Sequence, residues 1–133
     1  MLRCGLLGQH LGHSYSPQIH NQLASYDYQL FEKEPDGLAD FLTSGTFDGL
    51  NVTIPYKKAV IPYLDELSEK ARTIGSVNTI VRRGGKLYGY NTDAFGFTWM
   101  IQKSGVDTHG KKALVLGSGG ASVTICYVLR QLG

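Results

Sequence analysis

Charge imbalance, cysteine and long apolar runs are all scarce in this sequence, and each scarcity removes a class of function. Thirteen basic and eleven acidic residues leave a net charge of +2. That is too small to hold a phosphate backbone, and Lys57-Lys58, Arg82-Arg83 and Lys111-Lys112 are scattered rather than set in a stripe. A nucleic-acid partner is therefore not expected. The two cysteines, Cys4 and Cys126, sit in apolar segments without C-x-x-C spacing. They read as reduced core residues of a cytoplasmic protein, not as a disulfide or metal pair. The four histidines show no ligand spacing, and none is assigned to metal or acid–base work. No apolar stretch approaches the roughly 20 residues of a membrane span, and the run at 1–8 is too short for a signal segment. Repeats, low-complexity tracts and coiled-coil heptads are missing too. What remains is an ordinary folded composition, 42% apolar and 18% charged, long enough to bury one core but not two.

Strand-like and helical segments alternate along the chain. Leu2–Leu7 reads as a buried strand, and Ile19, His20, Leu23 and Ala24 recur at helical spacing over about 17–25. Tyr26–Phe31 alternates as a second strand, a short helix covers about 36–44, and Leu50–Ile54 is a third strand stopped by Pro55. Helical patches follow at about 56–63 and 65–74. Val77–Arg82 and Lys86–Tyr90 flank Arg83-Gly84-Gly85 as a hairpin. A helix over 93–103 precedes a polar connector at 105–111, then a strand at 113–116 and a helix from Gly119. The expected fold is α/β: a three-layer α/β/α domain over 1–104, with a mostly parallel sheet and one antiparallel hairpin. Residues 105–133 would be a linker and the first βα unit of an incomplete Rossmann-like domain, broken off in its first helix.

Five polar or glycine-rich islands stand at the predicted strand ends. Ser16-Pro17 has the form of a helix cap followed by a first-turn proline, while Ser14 lies two residues earlier in an extended segment. Two hydroxyls so spaced can address one carboxylate, and Ser16 could cap and bind at once. His13 adjoins that pair. Asn51-Val52-Thr53-Ile54-Pro55-Tyr56-Lys57 puts an amide, a hydroxyl and a lysine at the C-terminal end of a strand, where open α/β sheets bind ligands. Lys58 beside it carries no such motif and reads as a surface lysine. Asn78 sits among β-branched residues and must be either a structural bridge or a ligand contact. Asn91-Thr92-Asp93 precedes a helix, so Asp93 is either a cap or a functional carboxylate. Gly117-Ser118-Gly119-Gly120-Ala121 lies between a strand and a helix, the context of a dinucleotide phosphate loop. There Ala121 or Ser122 takes the small close-packing position. A plain βα turn is the structural alternative.

In the S-x-S, N-V-T-x-P-x-K, V-N-T, N-T-D and G-x-G-G-A segments, and in their order, the chain resembles the shikimate dehydrogenase family. The resemblance covers the whole chain but only the first half of such an enzyme. It implies that Ser14 and Ser16 hold the shikimate carboxylate, and that Thr53, Lys57, Asn78 and Asp93 contact the ring hydroxyls. Lys57 and Asp93 would be the catalytic pair. Gly117, Ser118, Gly119, Gly120 and Ala121 would bind the NADP diphosphate, with Glu69 on the cofactor side of the cleft. NAD stays open, because the segment that reads the adenosine 2′-phosphate follows the glycine loop. Quinate/shikimate dehydrogenase and a non-catalytic binding module are the alternatives. Residues 1–133 alone are expected to be inactive. The unpaired strand at 113–116 is expected to favour self-association or a homodimer.

Overall fold

A computed structural model describes residues 1–23 and 25–133. One sheet contains β1 (Arg3–Gly8), β2 (Asp27–Glu32), β3 (Gly49–Val52), β4 (Glu66–Leu67), β5 (Thr79–Arg83) and β6 (Lys86–Tyr90). Their spatial order is β2-β1-β3-β5-β6-β4. β1 runs parallel to β2 and β3, and β4 parallel to β6. β5 is antiparallel to both β3 and β6. One reversed strand thus stands inside an otherwise parallel sheet, and the Gly84-Gly85 hairpin, both residues at positive φ, creates it.

The helices are α1 (Ser16–Leu23), α2 (Leu38–Thr43), α3 (Tyr56–Ala59), α4 (Glu69–Ile74), α5 (Asp93–Ser104) and α6 (Gly120–Leu132). Ala24, which the spacing assigns to the first of these, lies outside the described residues. Side chains alternate across the sheet, so neighbours face opposite layers. Leu7 enters the main core with Leu50, Val52 and Ile80, under Leu38, Phe41 and Leu42 of α2. Leu6 instead joins Leu11 and Tyr28, where the His20 ring of α1 stacks on Tyr28 with centroids 3.8 Å apart. Helices therefore cover both faces, giving the three expected layers. A third cluster, Ile74, Ala94 and Val128, docks α6 against α4 and α5.

Two expectations need correction. The segment 65–74 is not one helix: Glu66–Leu67 adds an edge strand beside β6, and α4 begins only at Glu69. The break is made by side chains, since the Asp65 carboxylate accepts from the Leu87 N–H at 2.7 Å and Ser68 Oγ caps α4 through the Ala71 N–H at 3.2 Å. Residues 113–116 form no strand, so the Rossmann-like unit is present only as its helix. A strand needs a neighbour to take its backbone hydrogen bonds. None of the described residues supplies one, and Leu114 and Leu116 are each 85% exposed. Among the described residues, no helix is long and apolar enough to cross a membrane.

Gly5, inside the central strand β1, is a close-approach glycine. A Cβ there would run into the Gln29 backbone carbonyl and the Phe31 ring. Backbone cannot step aside as a flexible side chain can. Gly5→Ala should therefore destabilise the fold by about 1–3 kcal/mol. Urea unfolding followed by circular dichroism should show a lowered midpoint; an unchanged midpoint would contradict the packing described.

Candidate functional site

The sheet delivers the polar islands to the ends of β3, β5 and β6. Asn78, just ahead of β5, is held by backbone on two sides: its N–H donates to Tyr90 at 3.0 Å and its carbonyl accepts from Val52 at 2.8 Å. Lys57 is anchored likewise, its carbonyl accepting from the Val77 N–H at 2.8 Å. Two main-chain positions far apart in sequence are thereby fixed before their side chains are considered.

Those side chains converge on Asp93. Lys57 Nζ donates to Asp93 Oδ2 at 2.6 Å, and Asn78 Nδ2 donates to Asp93 Oδ1 at 2.9 Å, so each carboxylate oxygen has its own donor. Asn78 Oδ1 accepts from the Thr92 N–H at 2.8 Å and from Thr79 Oγ1 at 3.1 Å. The amide is thus fixed in orientation, bridging β5 to the start of α5. The Lys57 side chain is 16% exposed and that of Asp93 37%. The pair is neither solvated nor sealed, and removing either partner would strand the other's charge in a partly dry site. Asp93 does not cap α5, of which it is the first residue; the Ala94 N–H is taken instead by Asn91 Oδ1 at 3.1 Å. The capping duty falls on Asn91, and the Asp93 carboxylate is left to face Lys57. Together Lys57, Thr92, Asp93 and Ala121 line a cleft of about 370 Å³.

Ser14 and Thr53 line a separate, larger cleft of about 620 Å³ with His10 and His13. The serines divide their work differently from the capping expectation: Ser14 Oγ, not Ser16 Oγ, accepts the N–H at the start of α1, that of Ser16, at 3.2 Å. The Ser16 side chain lies beside Tyr28, whose hydroxyl donates to Asn51 Oδ1 at 2.7 Å. Burial pushes the Tyr28 phenol up to about 12, nearby Tyr26 adds to the rise, and the Ser16 contact opposes it. Tyr28 stays protonated through the neutral range and remains a donor. Asn51 and Thr79 are direct partners across β3 and β5, and Thr79 reaches Asn78. A polar line therefore runs from Tyr28 through Asn51 and Thr79 to Asn78 and Asp93.

The glycine-rich loop reaches the same place from the other end of the chain. Gly117, at φ +116°, holds a conformation that favours glycine. Gly120 opens α6, and a Cβ there would lie 2.6 Å from Lys57 Cβ and 2.9 Å from Ser76 Oγ. The close-packing residue is therefore Gly120, not Ala121 or Ser122; Ala121 is exposed and lines the Lys57 cleft. Glu69 is not brought to the pair. It is an exposed acid in the first turn of α4, where it suits the positive helix end.

Several contributors escaped the motifs. Buried Asn91 also donates from Nδ2 to the Ser76 carbonyl and to Thr124 Oγ1, both at 3.0 Å, tying α6 to the site. Its position in N-T-D marks a cap, but nothing local announces a partner 33 residues away. Tyr28 was legible only as one residue of an alternating strand. Lys58, read as a surface lysine, donates to the Ser118 carbonyl at 3.2 Å.

A family model described as the shikimate dehydrogenase substrate binding domain matches residues 6–80. The NADP(+) shikimate dehydrogenase of Halothermothrix orenii is 48% identical over 97% of this chain, which covers 48% of that protein. Among solved structures, shikimate dehydrogenase 1 of Peptoclostridium difficile superposes with a TM-score of 0.94 at 39% identity, over 100% of this chain and 52% of its own. The shikimate 5-dehydrogenase of Thermus thermophilus, solved with NADP(H) and shikimate, gives 0.89 at 36% identity, over 100% and 53%. The chain spans about half the length of the curated relatives it matches. With the profile matching over most of the sheet and the S-x-S, N-V-T and V-N-T islands inside it, the chain belongs to the shikimate dehydrogenase family.

Proposed function

We propose that this chain forms the substrate-binding half of an NADP-dependent shikimate dehydrogenase, which interconverts 3-dehydroshikimate and shikimate. Residues 1–104 would carry the substrate and the catalytic pair, and 105–133 would link to and open the cofactor-binding unit. The observation that carries the reading is the Lys57–Asp93 contact at 2.6 Å, with Asn78 on the second carboxylate oxygen.

The chemistry follows from that contact. Reducing a ketone to a secondary alcohol needs a proton for the oxygen as a hydride reaches the carbon. The Lys57 ammonium gives its proton to the carbonyl oxygen, and before the transfer its charge stabilises the developing alkoxide. Asp93 holds the ammonium in place and accepts a hydrogen bond from a neighbouring ring hydroxyl. Thr53 and Asn78 orient the remaining hydroxyls, and Ser14 and Ser16 take the carboxylate. In the oxidative direction the same groups run in reverse.

The glycine loop suits a dinucleotide phosphate. Gly117 is at positive φ, Gly120 has no room for a side chain, and among the described residues no side chain caps the first N–H groups of α6. Gly117, Ser118, Gly119, Gly120 and Ala121 would hold the diphosphate of NADP, with Glu69 at most a peripheral member of that side. Bound there, the dinucleotide supplies the nicotinamide ring that exchanges the hydride. The reading also carries a cytoplasmic setting, in keeping with two unpaired cysteines.

Calorimetry on the 133-residue chain should detect shikimate binding, and Lys57→Met or Asp93→Asn should weaken it about tenfold, the scale of one charge-assisted hydrogen bond. The same chain with NADP and shikimate should produce negligible reduced nicotinamide absorbance. Wild-type affinity in both variants would reject the site, and turnover near roughly 10 per second would reject the assignment of this chain as an inactive half. Although 113–116 form no strand edge, the exposed Leu114 and Leu116 offer apolar surface to a second copy of the chain. Light scattering across a concentration series should show mass rising toward a dimer, and a constant monomer mass would refute that association.

A further inference from the structure

Lys58 is the residue whose place in the structure departs furthest from its bland sequence context. It neighbours Lys57 on α3, a helix of only four residues. Adjacent residues on a helix point in different directions. Lys57 turns to Asp93, while Lys58 turns to the Ser118 carbonyl, 3.2 Å away and 60 residues distant in sequence. One turn of helix thus touches both the carboxylate of the substrate side and the glycine loop.

Little else holds that loop. Among the described residues, the side-chain hydrogen bonds that join residues 1–104 to the loop and α6 are those of Lys58 to Ser118 and Asn91 to Thr124. The second grips α6 a full turn beyond its start. The loop itself has no ladder partner, and its remaining side-chain contacts come from α6: Ser122 Oγ donates to the Gly119 carbonyl and Thr124 Oγ1 to the Gly120 carbonyl at 3.1 Å. Gly120 lies directly on the Lys57 stem, where a Cβ would meet Lys57 Cδ at 3.2 Å. Whatever sets the loop's position against α3 therefore sets it against the Lys57 ammonium as well.

From these contacts we infer that Lys58 is a positioning residue for the nucleotide loop, fixing Gly117–Gly120 in register with Lys57 so that cofactor and substrate meet in a set geometry. The inference rests on the dinucleotide reading of the loop. An ammonium suits this task, because its three donors and flexible stem can hold a backbone carbonyl and still follow the loop as a phosphate enters. Its effect is local to the cofactor side, since the Lys58 ammonium is bonded to the loop and not to Asp93, Asn78 or Thr53.

The test is a titration of the 133-residue chain by amide NMR, first with NADP and then separately with shikimate. Wild type, Lys58→Met and Lys58→Arg are compared. Met keeps the apolar stem and removes the donors, while Arg restores a cation. NADP should shift the Gly117, Gly119 and Gly120 amides of wild type. Lys58→Met should weaken NADP about threefold to fivefold, the reach of an exposed charged contact, with shikimate affinity unchanged and Lys58→Arg close to wild type. Equal NADP affinity in wild type and Lys58→Met would overturn the role of Lys58 while leaving the loop assignment standing. A parallel loss of shikimate affinity would make Lys58 a general structural residue and overturn it as well. A wild-type chain whose loop amides ignore NADP would remove the dinucleotide reading, and the inference with it.

Discussion

Each oxygen of the Asp93 carboxylate is taken by a different element of the fold, and the rest of the site depends on that division. Lys57 approaches from α3 and Asn78 from the entry to β5. A lysine and an aspartate alone at a solvated surface would exchange partners with water at little net gain. Here the amide fixes the carboxylate plane, Thr92 and Thr79 fix the amide, and the sheet fixes Asn78 through its own backbone. The ammonium is thereby held by a fixed acceptor rather than left to exchange partners with water.

The fold serves this arrangement through its one reversed strand. β5 lies between β3 and β6, so the segment carrying Asn78 passes between the Lys57 turn and the Tyr90–Asp93 corner. A hairpin at the sheet edge could not have brought both to one amide. On the opposite layer, the stacked His20 and Tyr28 rings carry a second polar line to Asn51 and Thr79. The Ile54-Pro55 turn lines the cleft that holds Ser14 and Thr53, and Lys57, two residues after Pro55, lines the cleft that holds Asp93.

The local patterns were legible because they are made by neighbours in sequence. The alternation in β1 and β2, the Gly-Gly hairpin and the polar residues at strand ends all follow from periods of two and from turn chemistry. What was hidden depends on distant partners. Asn78 as bridge or ligand contact could not be decided until Thr92 and Asp93 were beside it. Asn91, not Asp93, takes the Ala94 N–H through a contact only three residues long, whereas the close approach of Gly120, not Ala121, comes from α6 docking on α3. The strand at 113–116 has the right composition but no ladder to join, so propensity alone could not form it. The edge strand at 66–67 was missed for the converse reason: two residues carry no period, and Asp65 and Ser68 build it through Leu87 and Gly89.

If Lys57, Asp93 and Asn78 act as one unit, a polyhydroxylated ring acid should engage all three together. The most direct measurement follows the Lys57 side-chain nitrogen, the Asp93 carboxylate carbon and the Asn78 side-chain amide by NMR as shikimate is added to selectively labelled chain. All three resonances should move together along one binding curve. Saturable binding that leaves the three unmoved, with shifts confined to other residues, would contradict it.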